Sequence, residues 1–377
     1  MPIYDAIVLG AGGVGSAVLM HLAQRGARVV GVDRFHPPHD LGSSHGQTRV
    51  TRQAYFEHPD YVPLVLQSFR CWADLEGLVG RKLFHQVGLL EVGPADGVVV
   101  PGVQRAAEEH GLAVETLTPA EVHSRWPGLR VPDHLQAVFE TSAGYLLVEE
   151  CVRAHLQVAT SAGAELRTGR TVHQWTSTED QVTVHTDDGV LTGRKLVVAA
   201  GAWSADLLAE LQISLSVRRK SLFWFRTQTK EYATQSGLPV YLFELPTGIF
   251  YGFPELDPRG VKVGEHSGGQ RVVDPWAIDR SQLADDERKL RTFLEAHMPG
   301  VGREVTGHTV CMYTMTPDEN FVVDRHPHHE NVVFAAGLSG HGFKFTGVLG
   351  QALADLALEG RTDLPIRFLS LARFASS

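Results

Sequence analysis

The order of apolar and polar positions divides the chain into a well-marked opening unit and a longer, mixed remainder. Ala6-Ile7-Val8-Leu9 is an unbroken apolar run, suited to a strand buried on both faces, and it leads into Gly10-Ala11-Gly12-Gly13-Val14-Gly15. Val14, Ala17, Val18, Met20 and Leu22 then mark one apolar face of a helix, Gly26 stops it, and Arg28–Asp33 reads as a second strand. Helices are also expected over Tyr61–Glu76, over Val148–Ser161 and over Val348–Leu358. Another should start at Thr118-Pro119-Ala120-Glu121, which combines a capping box with proline at the first helical position. Gln181–Gly193 predicts a hairpin around Asp187-Asp188-Gly189. Two later runs, Leu196–Trp203 and Val332–Gly337, echo the first strand, while 216–310 is mostly strand-like apart from a helix near Asp285–His297.

The opening β-turn-α-β unit of about 30 residues carries a physical reading. Gly10, Gly12 and Gly13 let the backbone turn tightly and approach a pyrophosphate, whose charge meets free N–H groups at a helix N-terminus. Gly15 lets helix and strand pack closely, and Asp33 can accept from a ribose hydroxyl while repelling a 2′-phosphate. The later strands end in small residues, Gly201 after the first and Gly340 and Gly342 after the second, which allow a cofactor to come near. A dinucleotide domain built from three separated pieces of chain follows. The expected architecture is α/β (α+β overall): a Rossmann-like dinucleotide-binding domain over 1–80, 142–215 and 311–377, with an inserted, mainly antiparallel β-sheet substrate domain over 81–141 and 216–310; the pattern by itself separates FAD from NAD only weakly.

Composition narrows the classes. The 377 residues are 43% apolar and 20% charged, which excludes disorder, and the net charge of −9 without a basic stripe argues against a nucleic-acid partner. No apolar run reaches a membrane span, and three scattered cysteines suit a reducing cytoplasm rather than a disulfide framework. His36-Pro37-Pro38-His39 and His326-Pro327-His328-His329 lie in proline turns without metal-ligand spacing, so no metal is expected. Phe223, Trp224 and Phe225 read as core packing.

Several longer motifs resemble one family. Gly42-Ser43-Ser44-His45-Gly46-Gln47-Thr48-Arg49 with Arg52, then Gly252-Phe253-Pro254, Lys262-Val263-Gly264-Glu265-His266, Cys311-Met312-Tyr313-Thr314 with Pro317-Asp318-Glu319, and Ser339-Gly340-His341-Gly342-Phe343-Lys344-Phe345 are similar, in the same order, to monomeric sarcosine oxidase and N-methyltryptophan oxidase. The resemblance implies FAD chemistry on an N-methyl amino acid. A hydride passes to the flavin, O2 reoxidises it to give H2O2, and the imine hydrolyses to formaldehyde and the free amino acid. It further implies that Arg52 and Lys344 clamp the substrate carboxylate, and that Cys311 carries FAD covalently. Lys262 would promote reaction with oxygen, His266 and Tyr251 would lie beside the substrate, and His45 and Arg49 would lie against the flavin. Ser43, Ser44, Thr48 and Lys344 would contribute to the cofactor site.

Two positions depart from the family pattern. Phe56 stands where relatives commonly have glycine and should stiffen or partly block the loop bearing Arg52. Glu265 adds negative charge near the expected site. Arg125-Trp126-Pro127 with Arg130-Val131-Pro132-Asp133 resembles the N-methyltryptophan branch, which favours N-methyl-L-tryptophan over sarcosine as substrate. The other readings are an FAD-dependent dehydrogenase or oxidase of another secondary amine, and a nucleotide-binding protein without turnover. A monomer is expected.

Overall fold

The computed structural model describes residues 3–374 and is a mixed α/β structure built on three sheets. The first has eight strands. Its parallel centre comprises Tyr4–Leu9, Val29–Asp33, Glu165–Thr168, Gly189–Val198 and His329–Ala336, so three distant stretches of chain share one layer. The apolar runs read from the sequence are these strands: Ala6, Ile7, Val8, Leu196, Val197 and Val332 are all fully buried. Helices Gly13–Gln24, Val148–Ser161 and Thr346–Glu359 cover one face, and Val18, Leu19, Cys151, Val152, Val348 and Leu349 fill the core between them.

Local sequence signals account for several boundaries. Thr118 accepts the Glu121 N–H while the Glu121 carboxylate accepts the Thr118 N–H, completing the expected capping box at helix Pro119–Arg125. The expected hairpin forms from Val182–Thr186 and Gly189–Val198. The helix expected to end at Glu76 continues to Val79, where Gly80 adopts a left-handed conformation that closes it.

The second sheet has nine strands and is antiparallel except where Val240–Leu245 runs parallel to Leu89–Gly93. Phe223 and Phe225 are fully buried and Trp224 nearly so, which makes them core as expected. The long strand Val301–Met315 pairs along Ser216–Thr227 and places Lys220 opposite Cys311. It runs straight through the division expected at 310/311, because the backbone ladder, not a change in composition, holds it in the second sheet. A three-stranded sheet of Thr48–Thr51, Phe84–His85 and Gly144–Leu147 completes the set. No helix among the described residues is long and apolar enough to cross a membrane.

Candidate active site

A cavity of about 450 Å³ opens where the first sheet's parallel strands end. Its floor is the glycine turn, and here the need for glycine is geometric. A Cβ on Gly15 would stand 1.8 Å from the Gly10 carbonyl oxygen, and one on Gly10, whose φ is +89°, would stand 2.6 Å from that of Ala199. Helix Gly13–Gln24 therefore begins against the strand end with its N-terminus at the cavity. Asp33 also lines it, but its carboxylate already accepts the N–H groups of Ala11 at 2.7 Å and Phe35 at 2.8 Å. It braces the glycine turn in addition to facing the ligand position.

Gly10, Gly12, Gly13, Ser43, Ser44, Arg49, Gly201, Gly340 and Gly342 line this cavity as expected. Three buried polar atoms on its wall, Trp203 Nε1, Thr314 Oγ1 and Thr346 Oγ1, have no hydrogen-bond partner in the protein. Buried polar groups are ordinarily paired, so these point to a polar ligand. Glycine cradle, helix N-terminus, acid at the second strand and orphaned donors together fit a dinucleotide.

A smaller cavity of about 50 Å³ shares Arg49, Tyr313, Gly340 and Phe343 with the first. Arg52, Phe56, Glu57, Tyr251, His266, His341 and Lys344 also line it. Lys344, also expected at the cofactor site, lines this cavity and not the larger one. Its ammonium donates to the His341 carbonyl at 2.8 Å and the Tyr55 hydroxyl at 3.3 Å. Burial and the nearby Arg52 lower its pKa to about 7.

Arg52 is buried, with its guanidinium stacked 4.6 Å from the Tyr55 ring and 4.5 Å from the Phe56 ring. It donates to Glu57 and lies 3.5 Å from Glu91. Burial opposes its charge, but these two carboxyls more than offset that and raise its pKa. Burial likewise works against a charged Glu57, yet Arg52, His341 and Lys344 hold it down to about 2. His266 is pushed down to about 3 and His341 to about 4, chiefly by burial, so both imidazoles are neutral at pH 7. Arg49 and Arg52 keep their charge, and Glu57 balances only one of them. The cavity is thus net cationic, with Arg52, His341 and Lys344 on its wall buried, a setting that attracts one carboxylate and favours an uncharged amine.

Other expected residues sit just behind these walls. Lys262 is buried and lines neither cavity; its ammonium donates to the Gly46 carbonyl at 2.5 Å and to the carbonyl and hydroxyl oxygens of Thr48 at 2.8 and 3.0 Å. Burial and Arg49 together press its pKa well below the usual lysine value. Thr48 therefore holds Lys262 and does not face the cofactor cleft. His45 is also enclosed, with Nε2 unpartnered. Cys311 is buried between Arg49, which donates to its Sγ at 3.2 Å, and the Ser43 carbonyl at 3.3 Å. The helix expected over Val348–Leu358 begins two residues earlier, at Thr346, which itself lines the cofactor cleft.

Some expectations are corrected. Glu265 does not add charge to the small cavity: its carboxylate pairs with Lys289 at 3.2 Å, and the cavity's acids are Glu57 and the adjacent Glu91. Trp126, part of the segment that suggested the N-methyltryptophan branch, donates to the Gly237 carbonyl and packs against Phe139, away from both cavities. Glu57, Glu91, Tyr313 and His341 receive no role from sequence reading. The usable signal for Glu91 is a single acid inside the apolar strand Leu89-Leu90-Glu91-Val92. Histidines 326 and 329 converge on Glu210, at 2.9 and 3.3 Å. His326 Nδ1 takes the His328 N–H, which leaves Nε2 of His326 facing Glu210, a convergence that the spacing of these residues does not announce.

Residues 5–356 match the sequence pattern of a family described as FAD dependent oxidoreductase. The chain belongs to that family. The oxidoreductase is 42% identical over 375 residues to a monomeric sarcosine oxidase of Arthrobacter sp. (strain TE1826), covering 98% of this chain and 96% of that protein. It is 38% identical to an N-methyl-L-tryptophan oxidase of Yersinia pestis (strain Pestoides F), covering 98% and 99%. Among solved structures, the open form of NikD, an unusual amino acid oxidase essential for nikkomycin biosynthesis, superposes with a TM-score of 0.87 at 26% identity, covering 98% of each chain. The expected kinship and the expected cofactor, FAD, therefore stand.

Proposed function

We propose that this oxidoreductase oxidatively demethylates a small N-methyl amino acid, with sarcosine as the reference substrate, yielding formaldehyde, the free amino acid and H2O2. The observation that carries the reading is the convergence of Arg52 and Lys344 on a small cationic cavity sharing a wall with the cofactor cleft. The larger cleft, with its glycine turn and Asp33, would hold FAD, which would supply the two-electron acceptor between substrate and O2. Arg52 forks onto the substrate carboxylate and Lys344 fixes its orientation. The cationic, enclosed wall keeps the substrate nitrogen unprotonated, with its lone pair free, and the neutral imidazole of His266 can accept from its N–H. Phe56 narrows the cavity, which favours sarcosine-sized substrates over an indole side chain.

The same reading assigns Cys311 as the covalent anchor of FAD, supported by its place between Arg49 and Ser43, both on the cofactor cleft. Lys262 is assigned to oxygen reactivity, as a buried amino group held in place by Thr48, the strand neighbour of Arg49, and able to gain charge as negative charge develops beside it. The first sheet serves the cofactor and the second the substrate. We also assign the protein as a cytoplasmic monomer; its three free thiols suit a reducing compartment.

The test is aerobic turnover with sarcosine and with N-methyl-L-tryptophan, measuring formaldehyde and H2O2 together. Equal yields of both products, with kcat/KM higher for sarcosine, are expected. Formaldehyde without H2O2 would replace oxygen by another acceptor, and neither product with any N-methyl amino acid would overturn the reading. Acid precipitation tests the anchor separately: a yellow pellet is expected, and a colourless one would remove Cys311 from that role.

A further inference from the structure

Glu91 lies on the strand Leu89–Gly93, between Val138 on one neighbouring strand and Leu242 on the other. Leu242 lines the small cavity, and Glu91, fully buried, sits behind that wall, with Arg52 in contact with both Glu91 and Glu57. Its Oε1 is 3.5 Å from Arg52 Nε. Neither carboxyl oxygen has a hydrogen-bond partner, and neither has Arg52 Nε. A buried acid left unpaired beside an unpaired donor is costly, and nothing in the packing of the strand requires it.

We propose that Glu91 is a positioning residue for substrate binding, a proton-linked counter-ion that sets how much of the Arg52 charge is available to an anionic substrate group. Protonated, it leaves the guanidinium to the incoming carboxylate. Ionised, it competes for that guanidinium from behind, and binding an anion then requires uptake of a proton. This inference rests on the reading of Arg52 and Lys344 as a carboxylate clamp.

The surroundings set the direction. Arg52 and Glu57 face Glu91 from the loop after Thr48–Thr51, Glu140 from the adjacent strand, and Lys344 from the turn Phe343–Phe345. Glu140 is itself committed to the N–H groups of Gln53 and Ala54, at 2.8 and 3.0 Å, which fixes the loop carrying Arg52. Burial raises the Glu91 pKa to about 8, against the pull of Arg52. At pH 7 the acid is therefore mostly neutral and the clamp is free. Above pH 8 it is mostly charged, and a bound carboxylate, being a further negative charge, favours its reprotonation.

The test uses the holoenzyme and acetate, a redox-inert carboxylate whose charge is constant across the range. Acetate dissociation constants are measured by calorimetry from about pH 6.5 to 9.5 for the wild type, Glu91→Gln and Glu91→Val. Lys344 titrates in all three proteins, so its effect largely cancels in the ratio of constants. Full coupling predicts a wild-type to variant Kd ratio near one at pH 7, rising to about tenfold at pH 9. At pH 9 the wild type should also take up close to one more proton per acetate bound than either variant. An infrared carbonyl band of a protonated carboxylic acid should be present in the wild type at pH 7, fade by about pH 9.5 and return with acetate; this readout needs no variant. Parallel pH profiles, weaker acetate binding by Glu91→Gln at pH 9, or absence of that band would overturn the proposal while leaving the clamp intact. Failure of the wild type to bind acetate at any pH would overturn the clamp and the proposal together.

Discussion

The two cavities that meet at Arg49 and Tyr313 are built in opposite ways. The cofactor cleft has a floor of backbone: glycines, a helix start and strand ends, where side chains are small so that a ligand can approach. The small cavity, where we place the substrate, is made of long charged and aromatic side chains from separate segments, paired with one another. A backbone site tolerates little added volume, whereas a charged site is sensitive to which partner is removed. Substitutions in the two regions should therefore fail differently.

The largest effect is expected at the backbone site. Gly15→Ala puts a methyl group into the Gly10 carbonyl, and the helix must move off the strand. The protein should retain under about a tenth of its FAD, measured as flavin per chain after purification, and lose roughly 3 kcal/mol of stability. Full FAD content would mean the cradle is looser than its contacts imply.

Arg52→Ala comes next, because it removes the clamp and leaves the ionised Glu57 without its cation. A loss of about 3–5 kcal/mol in carboxylate recognition follows, hence at least about a hundredfold lower kcat/KM, with FAD content unchanged. Unchanged affinity for a carboxylate inhibitor would contradict the clamp. Lys262→Met, behind both cavities, should slow flavin reoxidation about 10²–10³-fold in stopped-flow experiments while changing flavin reduction less than about tenfold. Equal effects on both half-reactions would remove its link to oxygen.

The smallest effect belongs to Phe56, which stacks on Arg52 and is wedged against helix Val99–His110, where a Cβ on Gly102 would stand 2.8 Å from it. Phe56→Gly should widen the cavity and raise kcat/KM for bulky N-methyl amino acids several-fold relative to sarcosine. No change in that ratio would show that Phe56 does not limit substrate size.

The same contrast explains how much can be read from the sequence. The glycine turn, Asp33, the apolar strands and the Thr118–Glu121 box are local: each needs only neighbouring residues, and each is legible. Arg52, Lys344 and Lys262 are reached only through a family resemblance, since sequence alone does not distinguish a buried clamp from a surface cation, and so is Cys311, since an isolated cysteine reads as a small buried apolar residue. Glu91 escapes because its meaning lies in meeting Arg52 across a long sequence separation, and Glu57 because only the buried pairing reveals which charges around Arg52 face inward. The strand Val301–Met315 is blurred for a related reason: its first half is partly exposed and carries charges, so only its pairing with Ser216–Thr227 reveals it.

The most direct measurement is an anaerobic titration of the FAD-loaded protein with sarcosine at pH 7, followed by visible absorbance. Complete bleaching of the flavin by sarcosine, restored on admitting air and abolished at the same concentrations in Arg52→Ala, is the expected result. Flavin that stays oxidised with sarcosine and every other N-methyl amino acid tested would contradict the proposed chemistry at this cavity.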